Sequence, residues 1–297
     1  MTPRLSLLQK GDTLVVMTSD DAPPVVQYVA LDEARIAYAE HAPGSSGPPL
    51  VFLHGGGLDH RMWRSQLGVF GDHRALALDA RGHGWTQASD APFRYCDDVV
   101  AVLDALDIDD AVFIGVSMGG STAVDVALEH PDRVTAVVSC GAGTSEPEFR
   151  DPWTLEVLAA WQRSAQEQNP EGWIAAFMRF AAGPQRSLEE VAPGVVAEIE
   201  TMVRHTLGTH IIGPEGPATP TVATPVTGTW ERLSELEIPV LGVGGRLDSE
   251  DHLRIVDKLV DAVPQGSAQM INGAAHYPNM ERSEEFNAAL LRFVENL

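Results

Sequence analysis

The sequence predicts an α/β fold, a doubly wound and mostly parallel sheet that carries an inserted helical cap. Three observations predict it. Short apolar runs bounded by turn residues recur along the chain, helix-period segments alternate with them, and the alternation stops between residues 146 and 230 before resuming.

Residues 25–31 and 35–40 flank Asp32-Glu33-Ala34 and read as two antiparallel strands on a tight turn. Residues 43–49, rich in Pro, Gly and Ser, form a surface loop. The runs 50–53, 75–78, 111–114, 134–139 and 239–243 are too short for helices and predominantly apolar, the pattern of strands buried on both faces. Residues 95–106, 122–129 and 253–263 repeat apolar positions every three or four and read as crossover helices. Right-handed crossovers place such helices on both faces of the sheet.

Helical patterns at 154–166, 172–182 and 195–207 lead into a Pro/Gly/Thr-rich stretch over 213–228, which fits a lid hinge and an ordinary surface loop equally well. The expected organisation is an N-terminal extension over 1–24 without a clear period, a core of 25–145 and 231–297, and a helical cap over 146–230.

Of the 297 residues, 44% are hydrophobic, enough for a sizeable core. A net charge of −22 disfavours nucleic acid and anionic membrane surfaces as partners. Two cysteines, Cys96 and Cys140, are too few for a disulfide framework or a thiolate metal site and suit free thiols in a reducing compartment. The apolar stretches near the N-terminus are short and interrupted, so the expectation is a cytoplasmic protein acting on a small molecule, with a homodimer allowed.

The sharpest chemical signal is Gly115-Val116-Ser117-Met118-Gly119-Gly120, between a strand and a helix expected to open near Ser121. A serine held on such a turn needs small neighbours, because its backbone is crowded and its Oγ must stand clear of the sheet. The helix N-terminus also brings N–H groups and a positive dipole end to the place where an oxyanion would form. Ser117 is therefore the candidate nucleophile.

A serine hydroxyl needs a base, and ten histidines compete for the role. His276 lies in a loop after the last strand-like run and before the C-terminal helix, at the sheet edge where Ser117 sits. His73 and His252 stand beside charged residues and read as solvated, while His205 and His210 fall in the insertion and could face a pocket. Asp248 follows the 239–243 run and is the candidate acid, with Glu250 and Asp251 as rivals that also suit a helix N-terminus. These assignments give the chain order serine, acid, histidine.

A second oxyanion donor besides the Met118 N–H is expected from His54-Gly55-Gly56-Gly57, with Gly56 chosen and Gly57 the alternative. Asp79-Ala80-Arg81-Gly82-His83-Gly84 holds no nucleophile–base pair and reads as a structural loop, with Arg81 tying loops together and His83 packed. His54, Asp79 and His83 lack a recognised ligand spacing, so no metal is expected.

With Leu53-His54-Gly55-Gly56-Gly57, the Asp79 loop, the Ser117 elbow, Gly245-Arg246-Leu247-Asp248 and Gly273-Ala274-Ala275-His276-Tyr277-Pro278 in place, the chain resembles the α/β-hydrolase superfamily from about Val25 to Leu297. Asp59-His60-Arg61-Met62-Trp63 and Pro278-Asn279-Met280-Glu281 look most like 3-oxoadipate enol-lactonases and related small esterases. The resemblance implies a helical cap after the sixth strand and cofactor-free hydrolysis through an acyl-enzyme. Gly84-Trp85-Thr86 departs from the pattern, because relatives often carry a small residue and a serine there.

Trp153, Trp161, Trp173, Phe177, Met178, Phe180 and Met202 in the cap offer apolar lining above Ser117, and Trp153, Trp173 and Phe177 are the chosen substrate-binding residues. A carboxylated substrate would need a cation from Arg61, Arg81, Arg163, Arg179 or Arg204. The expected activity is hydrolysis of a small ester or lactone with no cofactor. Carbon–carbon bond hydrolysis or perhydrolase-like chemistry through the same residues, and a slow-turnover binding protein derived from a hydrolase, are the alternatives.

Overall fold

The computed structural model describes residues 8–10, 13–15, 26–31, 34–213, 216–217 and 223–297. Eight strands form one sheet: β1 (Val26–Leu31), β2 (Ala34–His41), β3 (Gly47–Leu53), β4 (His73–Leu78), β5 (Ala111–Val116), β6 (Val134–Cys140), β7 (Val240–Gly245) and β8 (Gly266–Ile271). Their spatial order is β8-β7-β6-β5-β3-β4-β2-β1. The β1/β2 and β2/β4 pairs are antiparallel and every other pair is parallel.

Alternation along the central strands shows why these runs are strands. Leu50 and Phe52 belong to one apolar cluster and Val51 and Leu53 to the other, so β3 buries side chains on both faces. Helices α1 (Tyr95–Ala105) and α2 (Met118–Glu129) cover one face. Helix α7 (Ser283–Val294) packs on the other, together with the helices that follow β6.

Those helices are α3 (Pro152–Gln166), α4 (Pro170–Ala182) and α5 (Pro193–Thr206). Each opens on a proline, whose missing N–H costs nothing in a first turn. Asp151 and Asn169 cap α3 and α4 with their side-chain oxygens. Helix α6 (Glu250–Ala262) follows β7 and buries His252, Ile255, Val256 and Leu259 as a single stripe.

In the N-terminal extension, Leu8–Lys10 and Thr13–Val15 pair antiparallel, which the weak periodicity did not suggest. The remainder of 1–24, the Asp32-Glu33 turn, and residues 214–215 and 218–222 of the expected hinge lie outside the described residues. Among the described residues no helix is long and apolar enough to cross a membrane.

Candidate active site

Ser117 stands between β5 and α2 with φ +53° and ψ −117°, a conformation that L-residues rarely adopt and that costs on the order of 1–3 kcal/mol. Its N–H donates to the Cys140 carbonyl at 2.8 Å, and its own carbonyl accepts from the Ser121 N–H at 3.0 Å. A Cβ on Gly119 would lie 2.1 Å from the Leu53 carbonyl oxygen, so only glycine lets α2 approach β3 this closely. The helix begins at Met118 rather than near Ser121, which puts the N–H of Met118 among the first-turn donors that have no partner within the helix.

The turn Gly55–Leu58 closes through the Leu58 N–H and the Gly55 carbonyl at 3.1 Å and leaves Gly56 and Gly57 as its central residues. Gly56 lines the cavity beside Ser117 and Met118. Gly57, the alternative, has φ +77° and faces Phe177, whose Cε2 would lie 2.7 Å from an added Cβ. The placement fits Gly56 as the second donor better than Gly57.

Asp248 lies just beyond β7, buried, and its Oδ2 accepts from His276 Nδ1 at 2.7 Å. Burial alone would raise this carboxyl, but His252 and His276 hold it well below the usual carboxylate range. Burial also lowers His276; Asp248 opposes that shift and His252 adds to it, so the imidazole is neutral at pH 7. Because an ionised carboxylate only accepts, Nδ1 carries the proton and Nε2 keeps its lone pair. The histidine loop is held from behind: Glu281 accepts from the Ala275 N–H at 2.8 Å and pairs with Arg186 at 2.8 Å.

His252 corrects the sequence reading. It is buried, not solvated, and its Nδ1 lies 3.0 Å from Asp248 Oδ1 and 2.9 Å from Ser249 Oγ. Its ring centroid is 4.1 Å from that of His276. The charged neighbours that suggested exposure point elsewhere on α6, whereas position 252 begins the helix's buried stripe; the three- and four-residue spacing to Ile255, Val256 and Leu259 was the available signal. Asp251, a rival acid, accepts from the N–H groups of Arg150 and Asp151 and so anchors the entry to α3, while Glu250 is exposed.

Ser117 and His276 face a common cavity of about 310 Å³, lined also by Gly56, Met118, Phe149, Thr154, Leu158, Trp161, Phe177, Phe180, His252 and Tyr277. Of the three chosen binding residues, Phe177 lines it. Trp173 and Trp153 do not: Trp173 stacks on Phe177 at 5.6 Å and 7°, and Trp153 meets Phe180 edge-on at 5.9 Å. Both stand one layer back: Thr154, Leu158 and Trp161 form the inward stripe of α3, and Phe177 and Phe180 form that of α4.

None of the five candidate arginines lines this cavity. Arg61 forks onto Asp59, Arg81 onto Asp98, Arg179 pairs with Glu156, and Arg204 with Glu171 and Glu200; Arg163 is exposed. His205 faces Trp85 at 4.7 Å between ring centroids, and His210 Nε2 meets the Gly84 carbonyl at 2.9 Å, so neither reaches the cavity. His73 Nδ1 lies 2.8 Å from the Pro48 carbonyl at the surface.

His54 spends both ring nitrogens on backbone, Nδ1 at 2.8 Å from the Gly55 carbonyl and Nε2 accepting from the Ala80 N–H at 3.0 Å. Burial, with His54 adding, lowers His83 to about 3. The Asp79 loop is therefore built for structure. Asp248, His252 and His276, and separately Asp59, His60 and Asp79, bring three donor atoms each within 4.8 Å. In both groups the carboxylates are already engaged by imidazole and N–H donors.

A family model for the alpha/beta hydrolase fold matches residues 48–283. The chain is 29% identical over 273 residues to 3-oxoadipate enol-lactonase 2 of Acinetobacter baylyi, covering 89% of this chain and 92% of that one. It is 27% identical to a 2-hydroxy-6-oxononadienedioate/2-hydroxy-6-oxononatrienedioate hydrolase of Burkholderia vietnamiensis, with coverages of 88% and 91%. Among solved structures, Est816, described as an N-acyl homoserine lactone degrading enzyme, matches with a TM-score of 0.70 at 30% identity, covering 90% of this chain and 99% of that one. The eight-stranded sheet, the elbow and the match over residues 48–283 lead to one conclusion: the chain belongs to the alpha/beta hydrolase fold family.

Proposed function

We propose that the protein is a cofactor-free serine hydrolase that cleaves a small carboxylic ester or lactone, with no carboxylate beside the scissile bond, through an acyl-enzyme. Ser117 attacks the carbonyl, and His276 takes its proton and returns it to the leaving oxygen. Asp248 orients the imidazole, while the N–H groups of Gly56 and Met118 receive the oxyanion. The observation that carries the proposal is the buried Asp248–His276 pair at 2.7 Å, opening on the same cavity as a serine held at φ +53°.

Among the described residues no arginine lines the cavity that Ser117 shares with His276, which supports a substrate without a carboxylate in that cavity. This weighs against the dicarboxylate named for its Burkholderia vietnamiensis relative and supports the ester or lactone reading over carbon–carbon cleavage of such a substrate. Cytoplasmic residence is part of the proposal, supported by the free thiols of Cys96 and Cys140.

The test is covalent labelling by a fluorophosphonate, run beside a panel of neutral esters, lactones and ring-fission dienones. Wild type is expected to label and to turn over neutral esters or lactones, with both lost in Ser117→Ala. Labelling that persists in Ser117→Ala, or turnover confined to dienones, overturns the assignment.

A further inference from the structure

A second cavity, also about 310 Å³, shares Ser117, Met118, Phe149 and His252 with the first and runs the other way, along α2. Its character differs. Both are largely apolar, the second through residues such as Ala142, Pro147, Val226 and Ile255, but the second adds a polar strip of Ser121, Thr122, Asp125 and Thr144 that the first, walled by Leu158, Trp161, Phe177 and Phe180, does not have. Ser117, Ser121 and Asp125 follow one another at intervals of four, so one face of α2 leads from the nucleophile to the carboxylate.

Asp125 is an unusual group to find there. It is 7% exposed, and Ser145 Oγ donates to its Oδ1 at 3.2 Å. Burial pushes its carboxyl up to about 7, with Ser145 opposing and Glu129 and Glu146 adding to the rise. Arg94, the cation in the same wall, is committed to Asp97 through a fork at 2.7 and 2.8 Å and to Glu129 at 2.5 Å. The Glu146 carboxylate is turned away onto the Thr229 N–H and hydroxyl.

We propose that this second chamber binds a polar arm of the substrate on the far side of the scissile carbonyl from the apolar chamber, and that Asp125 anchors an ammonium at its end. The inference rests on the hydrolase reading for the word substrate; the binding site itself does not. Eight residues of helix separate Ser117 from Asp125, about 12 Å along the axis, and the aspartate leans back toward the helix N-terminus, so the arm spans roughly five to eight bonds. A net charge of −22 attracts cations to the protein as a whole and so agrees with the choice of ammonium over carboxylate.

Two measurements test the proposal. In the first, butyl- to octylammonium is titrated calorimetrically into wild type and Asp125→Asn, with the alcohols of equal length as comparison. Wild type is expected to bind the ammonium about tenfold or more tightly than the alcohol, with the advantage growing as pH rises through 7 and absent in Asp125→Asn. In the second, kcat/KM is compared for ester pairs that end in ammonium or methyl, with the terminus on either side of the carbonyl. One series is expected to favour ammonium about tenfold or more, and the ratio to collapse toward one in Asp125→Asn. Because it is a ratio, it needs only a folded fraction of the variant, and Asp125→Glu is expected to retain part of it. Equal binding of ammonium and alcohol, or a preference that survives Asp125→Asn, overturns the chamber. If methyl-terminated esters are still hydrolysed and Ser117→Ala stops them, the hydrolase reading survives that failure. Asp125-dependent ammonium binding with every ester inert has the opposite meaning: the chamber stands and the hydrolase reading falls.

Discussion

Replacing His252 by phenylalanine removes one of the two imidazoles that share Asp248, yet keeps a ring against Phe149, Phe180 and His276. In wild type, Asp248 Oδ1 accepts from the Ser249 N–H at 2.7 Å and from His252 Nδ1 at 3.0 Å, while Oδ2 accepts from His276 at 2.7 Å. H252F leaves Oδ1 with the backbone donor alone. A hydrogen bond to a charged group contributes about 1.5–3 kcal/mol, and a factor of ten in rate corresponds to about 1.4 kcal/mol. If half of that bond's worth, about 0.75–1.5 kcal/mol, is expressed in the transition state, kcat/KM falls about three- to twelvefold.

The pH dependence carries a sign. Burial is the largest influence lowering His276 and His252 adds to it, so deleting His252 lets the His276 pKa rise. A base with a higher pKa stays protonated to a higher pH, so the acid limb of kcat/KM moves upward and activity falls more at pH 6 than at pH 8. H252N separates charge from hydrogen bonding, because its amide can donate to Asp248 but does not titrate. It is expected to recover most of the rate at pH 8 while keeping the displaced limb. Profiles of kcat/KM from pH 5 to 9 on a neutral ester make the measurement. An acid limb that stays in place or moves down in both variants refutes the shared-carboxylate reasoning.

Asp248→Asn is expected to stay folded by circular dichroism and lose on the order of 10⁴ in kcat, because the imidazole loses the partner that fixes its tautomer; near-wild-type turnover with Asp251→Asn inactive instead would reassign the acid. Gly57→Ala is expected to cost about 1–3 kcal/mol in urea denaturation and to raise KM, since φ is +77° and the new methyl meets Phe177 Cε2 at 2.7 Å. Gly56→Ala, whose nearest contacts are 3.7 and 3.8 Å, gives the contrast; equal stability loss in the two variants would show that strain at Gly57 is not the cause.

Much of the fold was legible because buried parallel strands must be apolar on both faces, and a run such as Leu50 to Leu53 has no other stable home. The exception is β8, whose first three residues are exposed and carry Gly, Ser and Ala. It lies at the sheet edge, where one flank is unpaired and the apolar signal thins. The start of α2 was misplaced by about three residues, because Gly119 and Gly120 hide a first turn that is dictated by the elbow and not by helix propensity.

The site divides along the same line. Ser117, Asp248 and His276 stand at or just beyond strand ends, and a parallel sheet gathers such positions at one edge whatever the side chains between them. His252, Trp161 and Asp125 stand on helices, where function depends on which face meets which neighbour. Thr154, Leu158 and Trp161 form a stripe as regular as any core stripe, and only the packing of α3 beside α4 turns it toward Ser117 and leaves Trp153 and Trp173 behind. Asp125 carries little local signal beyond interrupting the apolar run from Ala123 to Leu128, because an aspartate on a helix is ordinarily solvated. Here the loop holding Ser145 closes over it, and long-range contact converts a surface residue type into a buried carboxylate at the end of a chamber. Residues gathered at strand ends are thus placed by topology and readable from the chain, while the lining of the cavities around them is set by how helix faces pair.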